Sequence, residues 1–246
     1  MSLSLAVDGG VARLIIDRAD KRNAFSNAMW AAVPGLVAQA MADPRVRVLV
    51  VQAAVPGVFC AGADIVEFGQ SGSDEGVVRG AQLTLARAAK PVVALVEGDC
   101  VGGGCGLAIA CDIRVASPGA RFGITPAKLG LVYSLHDTKL LVDLVGPGQA
   151  KRMLFSAGLL DAAEAQRIGL VEIVADDARA AADALAATIA ANSAHSTRGT
   201  KAIVRRILDG QADDDDDTLA MFADAIDGPD FAEGVAAFRA KRRPSF

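Results

Sequence analysis

The chain has 246 residues, 52% hydrophobic and 22% charged, which suits one large folded domain and excludes a disordered chain. Its 25 basic and 29 acidic residues leave a net charge of −4, so no overall basic field argues for nucleic acid. Four cysteines without a CxxC pair, and only two histidines, His136 and His195, point to reduced, buried thiols rather than disulfides or a metal site.

"MSLSLAVDGG" lacks a basic start followed by a long apolar run, so no signal peptide is expected. No apolar run reaches about 18 residues, so no transmembrane helix is expected either, and the chain reads as a soluble cytoplasmic α/β protein. "LSLAVDGGVARLIID" predicts a β-hairpin, with alternating runs on either side of Asp8-Gly9-Gly10. "SNAMWAAVPGLVAQAMAD" predicts a helix capped by Ser26, with a kink or break at Pro34. "VRVLVVQA", "PVVALVEG" and "DIRVAS" read as buried strands separated by helical patterns, which favours parallel pairing with crossovers.

Beyond Ala120 the pattern becomes mostly helical. "HDTKLLVDLVG" and "GQAKRMLFSAG" predict two helices. "DAAEAQRIG" predicts a short one capped by Asp161, followed by a strand at "LVEIVA". "DDARAAADALAATIAANSA" and "STRGTKAIVRRILDG" are helical, as are two patterns from Asp217 to Lys241. The aspartate run Asp213–Asp217 reads as a solvated helix start, where carboxylates meet the positive end of the dipole.

"VGGGCGLAIACD", Val101 to Asp112, invites a nucleotide reading and fails it. Gly102-x-Gly104 is present but position 107 is Leu, and no Gly-Lys-Ser/Thr follows. What remains is a strand-to-helix turn whose free N–H groups point at an anion or a developing oxyanion. "PGVFCAGADIVEF" supplies a second loop of small residues, Ala61, Gly62 and Ala63 before Asp64. Two such loops can each donate one N–H to a single oxygen.

This pair of segments, with "LIIDRADKRNAF", "LVGPGQAKRMLFSAGLLDAAEAQRIGLVEIV" and the closing "EGVAAFRAKRRPSF", resembles the enoyl-CoA hydratase/isomerase (crotonase) superfamily over nearly the whole chain. The resemblance implies an α/β fold: a crotonase-like ββα spiral core over residues 1–190. It implies a helical C-terminal trimerisation region over residues 191–246, in a trimer or hexamer. It implies an acyl-CoA thioester as substrate, with CoA part of the substrate and no separate cofactor or metal. Carried over by motif, the oxyanion donors are the N–H groups of Ala63 and Gly103. Ala24, Ala61, Asp64 and Ile65 line CoA, Lys21 and Arg22 offer charge to its phosphates, and Phe222 and Lys241 reach it, often in a neighbouring subunit.

The pattern breaks at the catalytic carboxylates. The superfamily's hydratases carry one glutamate at the end of "GGGCE" and another in "FGxPE". Here the first position is Gly106 and the second Pro126, with Ala127 the alternative if the loop slips by one. Adding water to an enoyl thioester needs both water activation and protonation, so ordinary hydration is not expected. "LGLVYSLHDTK" offers Tyr133, His136 and Asp137 as substitutes, and Glu67 lies near the oxyanion loop. "FGITPAKLGLVYSL" resembles the matching segment of methylmalonyl-CoA decarboxylases, though a histidine stands there at the position of Ala63. The expected function is therefore enolate stabilisation on an acyl-CoA thioester. Its alternatives are decarboxylation of a malonyl-type thioester and acyl-CoA binding without turnover.

Overall fold

The computed structural model describes residues 2–67 and 74–246, with backbone only at 74 and 75. Strands β1 (Leu3–Asp8) and β2 (Val11–Ile16) form the expected hairpin, antiparallel with Asp8 opposite Val11. Helix α1 (Asn27–Ala42) is capped by Ser26, whose hydroxyl accepts from the Met29 N–H at 3.2 Å. The break expected at Pro34 does not occur, and α1 runs through it. Trp30, Val33, Val37 and Ala40 recur at helical spacing and are buried along one face, and that burial outweighs the one backbone bond proline removes.

Three turns of one pattern follow. Each contributes two strands and then a helix: β3 (Val48–Ala53), β4 (Gly57–Cys60) and α2 (Asp74–Ala86); β5 (Val92–Val96), β6 (Gly98–Val101) and α3 (Gly103–Ile109); β7 (Ile113–Ala116), β8 (Arg121–Gly123) and α4 (Leu135–Ser156). With β9 (Leu160–Asp161) and β10 (Ile173–Val174) they build two sheets. The first strand of each turn joins a six-stranded sheet of order β1-β2-β3-β5-β7-β10; the second joins a four-stranded sheet of order β4-β6-β8-β9. Apart from the antiparallel pairs β1–β2 and β8–β9, the strands pair in parallel. The chain thus advances as a spiral of β-β-α turns.

The larger sheet is apolar on both faces, as parallel strands between two layers must be. Leu49 and Val51 of β3 face the main core between the sheets, and Val48 and Val50 face the other way. That outer face is covered by α6 (Ala178–Ala191) through Ala178, Ala182 and Ala186. Cys60, Cys100, Cys105 and Cys111 are all buried and free.

One expectation here is corrected: the strand at "LVEIVA" is only the two residues of β10. The two helices expected after Ser134 are both present within α4 and meet at a kink at Gly146 (φ 72°, ψ 164°). Beyond α5 (Ala162–Arg167), capped by Asp161, and α6, the chain ends in α7 (Ala194–Leu208), α8 (Asp216–Asp227) and α9 (Pro229–Arg239). The aspartate run does start α8: Asp215 and Thr218 cap it reciprocally, and Arg206 pairs with Asp215 at 2.9 Å. Among the described residues no helix is long and apolar enough to cross a membrane, and no cluster of three metal-capable side chains occurs.

Candidate active site

The loop after β4 and the start of α3 lie back to back because both lack side chains where they touch. Gly62 sits at φ 103°, and a Cβ there would come within 3.1 Å of the Val101 carbonyl oxygen and 3.3 Å of the Gly103 nitrogen. A Cβ on Gly104 would collide with the Cys60 carbonyl. At Gly103 the obstacle is the Trp30 ring, 3.1 Å from the position a Cβ would take, with the Ala63 nitrogen at 3.5 Å. The result is two adjacent N–H groups, of Ala63 and Gly103, with no hydrogen-bond partner among the described residues. The Gly103 N–H is one of the orphan donors at the first position of α3, where the helix dipole adds positive potential.

Both residues line a cavity of about 760 Å³. The Ala63 loop is fixed by a bridge to Phe25: the Phe25 N–H donates to the Gly62 oxygen and the Asp64 N–H to the Phe25 oxygen, each at 2.8 Å. Phe25 packs in turn on Trp30, ring centroids 4.5 Å apart. The Val66 N–H and the Arg18 guanidinium, at 2.9 Å, hold the Asp64 carboxyl below its ordinary value. Glu67 is engaged elsewhere: it accepts from the Asn27 N–H at 2.8 Å and so caps α1. Lys21, Ala24, Ala61, Asp64 and Ile65 also line the cavity.

Three polar side chains, Gln82, Tyr133 and Asp137, line the same cavity. The space a side chain at Gly106 would fill is taken by the end of the Gln82 carboxamide, with the Tyr133 hydroxyl 2.9 Å from the position of a Cβ. Gln82 is 0% exposed, and its amide nitrogen donates to both carboxylate oxygens of Asp137, at 3.3 Å for Oδ2. Asp137 is 7% exposed and stands in the first turn of α4, where Ser134 caps the helix by accepting its N–H at 3.1 Å. Burial and the neighbouring Asp137 push the Tyr133 phenol well above its ordinary value, so it stays protonated, and its hydroxyl has no partner among the described residues.

The structure therefore brings Ala63, Gly103, Tyr133 and Asp137 to one cavity, and adds Gln82, which sequence reasoning missed. It leaves others outside. His136, the residue before Asp137, does not line the cavity. Burial, then Arg79 and Arg205, keep it below its ordinary value and hence neutral. Arg22 is tied to Asp99 at 2.6 Å. Phe222 and Lys241 lie on the C-terminal helical region, and in one chain neither reaches the cavity. Pro126 lines it without a group that could carry a proton.

The sequence model of the enoyl-CoA hydratase/isomerase family matches residues 6–246. A crotonyl-CoA hydratase of Syntrophomonas wolfei is 34% identical over 96% of this chain and 94% of its own length. A mitochondrial methylglutaconyl-CoA hydratase of Mus musculus is 32% identical over 96% of this chain and 79% of its own. The crystal structure of an enoyl-CoA hydratase/isomerase family protein from Hyphomonas neptunium superposes with a TM-score of 0.96 at 39% identity, covering 100% of this chain and 97% of that one.

Proposed function

The chain belongs to the enoyl-CoA hydratase/isomerase family, and from that premise we propose that it moves a proton on an acyl-CoA thioester through an enolate, with one carboxylate as acid and base. The observation that carries this reading is the pair of unpartnered N–H groups, Ala63 and Gly103, opening on the same cavity as Asp137. The thioester oxygen sits between the two donors. The Asp137 carboxylate takes a proton from the α carbon, and the C–H electron pair delocalises onto the thioester oxygen as the enolate. Each donor is typically worth roughly 10²–10³ in rate, because it strengthens as charge develops on oxygen. Asp137 then returns the proton at the other end of the conjugated system, which shifts the double bond. The Tyr133 phenol, held neutral, acts as a donor beside this carboxyl.

Water addition fits less well. It needs a second proton-handling group, and Gly106 and Pro126 stand where the family's hydratases place theirs. Malonyl-type decarboxylation would bring the departing carboxylate against Asp137.

The test is a panel of CoA thioesters that includes 3-enoyl and 2-enoyl chains. The expected result is conversion of the 3-enoyl thioester to its conjugated isomer, with crotonyl-CoA hydrated far more slowly. Asp137→Asn should lower turnover by roughly 10²–10⁴ while KM changes little. Binding without turnover of any thioester would leave a binding protein instead, and fast crotonyl-CoA hydration would refute the one-carboxylate reading.

A further inference from the structure

Two cations in the cavity wall, Arg79 and Lys128, have no assigned work among the described residues, and Arg79 is the one beside Gln82. Arg79 stands on α2 three residues before Gln82, on the same face of the helix, and both line the cavity. It has no hydrogen-bond or ion-pair partner among the described residues. The cavity's two acidic groups are already engaged, Asp64 by Arg18 and Asp137 by Gln82. An unpaired guanidinium at a ligand cavity presents a fork of donors that matches a carboxylate.

We propose that Arg79 binds a free carboxylate at the far end of the acyl group, so that the substrate is the CoA monothioester of a dicarboxylic acid. This rests on the thioester reading above and narrows it. Position along α2 sets the length. Three residues of helix rise about 4.5 Å, so the backbone of Arg79 lies roughly that far along α2 from Gln82, whose carboxamide bonds Asp137. A carboxylate three carbons beyond the α carbon would come within reach of the Arg79 side chain. A carboxylate on the α carbon itself meets the Asp137 carboxylate and is repelled. A five-carbon diacid is therefore favoured and a malonyl group disfavoured.

The experiment is calorimetric titration of the intact protein with glutaryl-CoA, pentanoyl-CoA, malonyl-CoA and propionyl-CoA. Glutaryl-CoA should bind about 10- to 100-fold tighter than pentanoyl-CoA, the range expected for hydrogen bonds to a charged group. Malonyl-CoA should gain nothing over propionyl-CoA. In Arg79→Gln the glutaryl-to-pentanoyl ratio should fall to near one, and Arg79→Lys should keep part of it. Equal affinity for glutaryl-CoA and pentanoyl-CoA, or an advantage that survives in Arg79→Gln, overturns the proposal and leaves the thioester reading standing. Failure of every thioester to bind overturns both.

Discussion

Gly106 shows what a missing side chain does. Its absence is not a void, because Gln82 and Tyr133 converge on the space. Restoring a glutamate there should therefore not restore hydration. The new side chain must displace the Gln82 carboxamide and break its bonds to Asp137. Gly106→Glu is expected to cost about 1–3 kcal/mol, as overpacking of a filled site does. It should also depress whatever turnover the wild type shows. The double variant Gln82→Ala/Gly106→Glu should recover part of the lost stability, because the two sites share one volume. Thermal unfolding of these two variants and of Gln82→Ala alone measures this. Additive effects would mean that Gln82 and the glutamate do not compete.

At the scale of elements, the Ala63 loop depends on the turn that ends the short 3-10 helix Ala19–Lys21, where the Arg22 oxygen accepts the Ala61 N–H at 3.1 Å. Arg22 and Asn23 both adopt left-handed backbone (φ 52° and 55°), an uncommon conformation for residues other than glycine. Asn23 fixes it from inside, accepting the Arg18 N–H at 2.9 Å and donating to the Val58 oxygen at 2.7 Å. Asp99 of β6 fixes it from the sheet, binding Arg121 of β8 through both oxygens, at 2.7 and 2.8 Å, and Arg22 at 2.6 Å. The Arg121 guanidinium, and then Arg22, hold the Asp99 carboxyl below its ordinary value of 3.8. The folded form thus binds the proton less readily than the unfolded one. Its contribution is complete above pH 3.8 and is lost as pH falls through the lower folded value. Asp99→Asn should cost about 2 kcal/mol near neutrality, the scale of hydrogen bonds to a charged group. The difference from wild type should shrink below pH 3.8, as denaturant midpoints across pH would record; a gap independent of pH would remove the electrostatic account.

These two sites mark how much the sequence reveals. The larger sheet was legible, because β3, β5 and β7 are apolar runs bounded by helices. The smaller sheet was not: β4, β6 and β8 are three or four residues long and rich in glycine and cysteine, with no alternation to read. The two loops that carry the unpartnered N–H groups of Ala63 and Gly103 were legible by motif, since small-residue loops have a local signature. Gln82 has none. It sits mid-helix, and only the crossing of α2 over α3 brings it to Gly106 and Asp137. His136 and Asp137 are neighbours in sequence, yet helix geometry turns only the second into the cavity.

The whole molecule carries an imbalance at its C-terminal end. Helix α7 is fastened to the body: Lys201 pairs with Asp112 at 2.7 Å and donates to the Lys90 oxygen at 3.0 Å, and Arg87 pairs with Asp209 just beyond the helix. Helices α8 and α9 bury little more than Thr218 and Ala237, while Phe222, Phe231 and Phe238 are 69, 52 and 85% exposed. A run of exposed aromatic rings on two adjacent helices is costly in water and is normally covered by another surface. The family resemblance implies that Phe222 and Lys241 reach a neighbour's CoA, and neither reaches the cavity of its own chain. Self-association through this face would account for the exposed rings and for that expectation. Light scattering after size exclusion should give a trimer or hexamer. Phe231→Asp with Phe238→Asp should shift it towards monomer without unfolding α1 to α6. Because the neighbour's Phe222 and Lys241 would then be withdrawn, affinity for CoA itself should fall in the same variant. A monomer at micromolar concentration in the wild type, or a dissociated variant with CoA affinity intact, would separate the apolar face from the site.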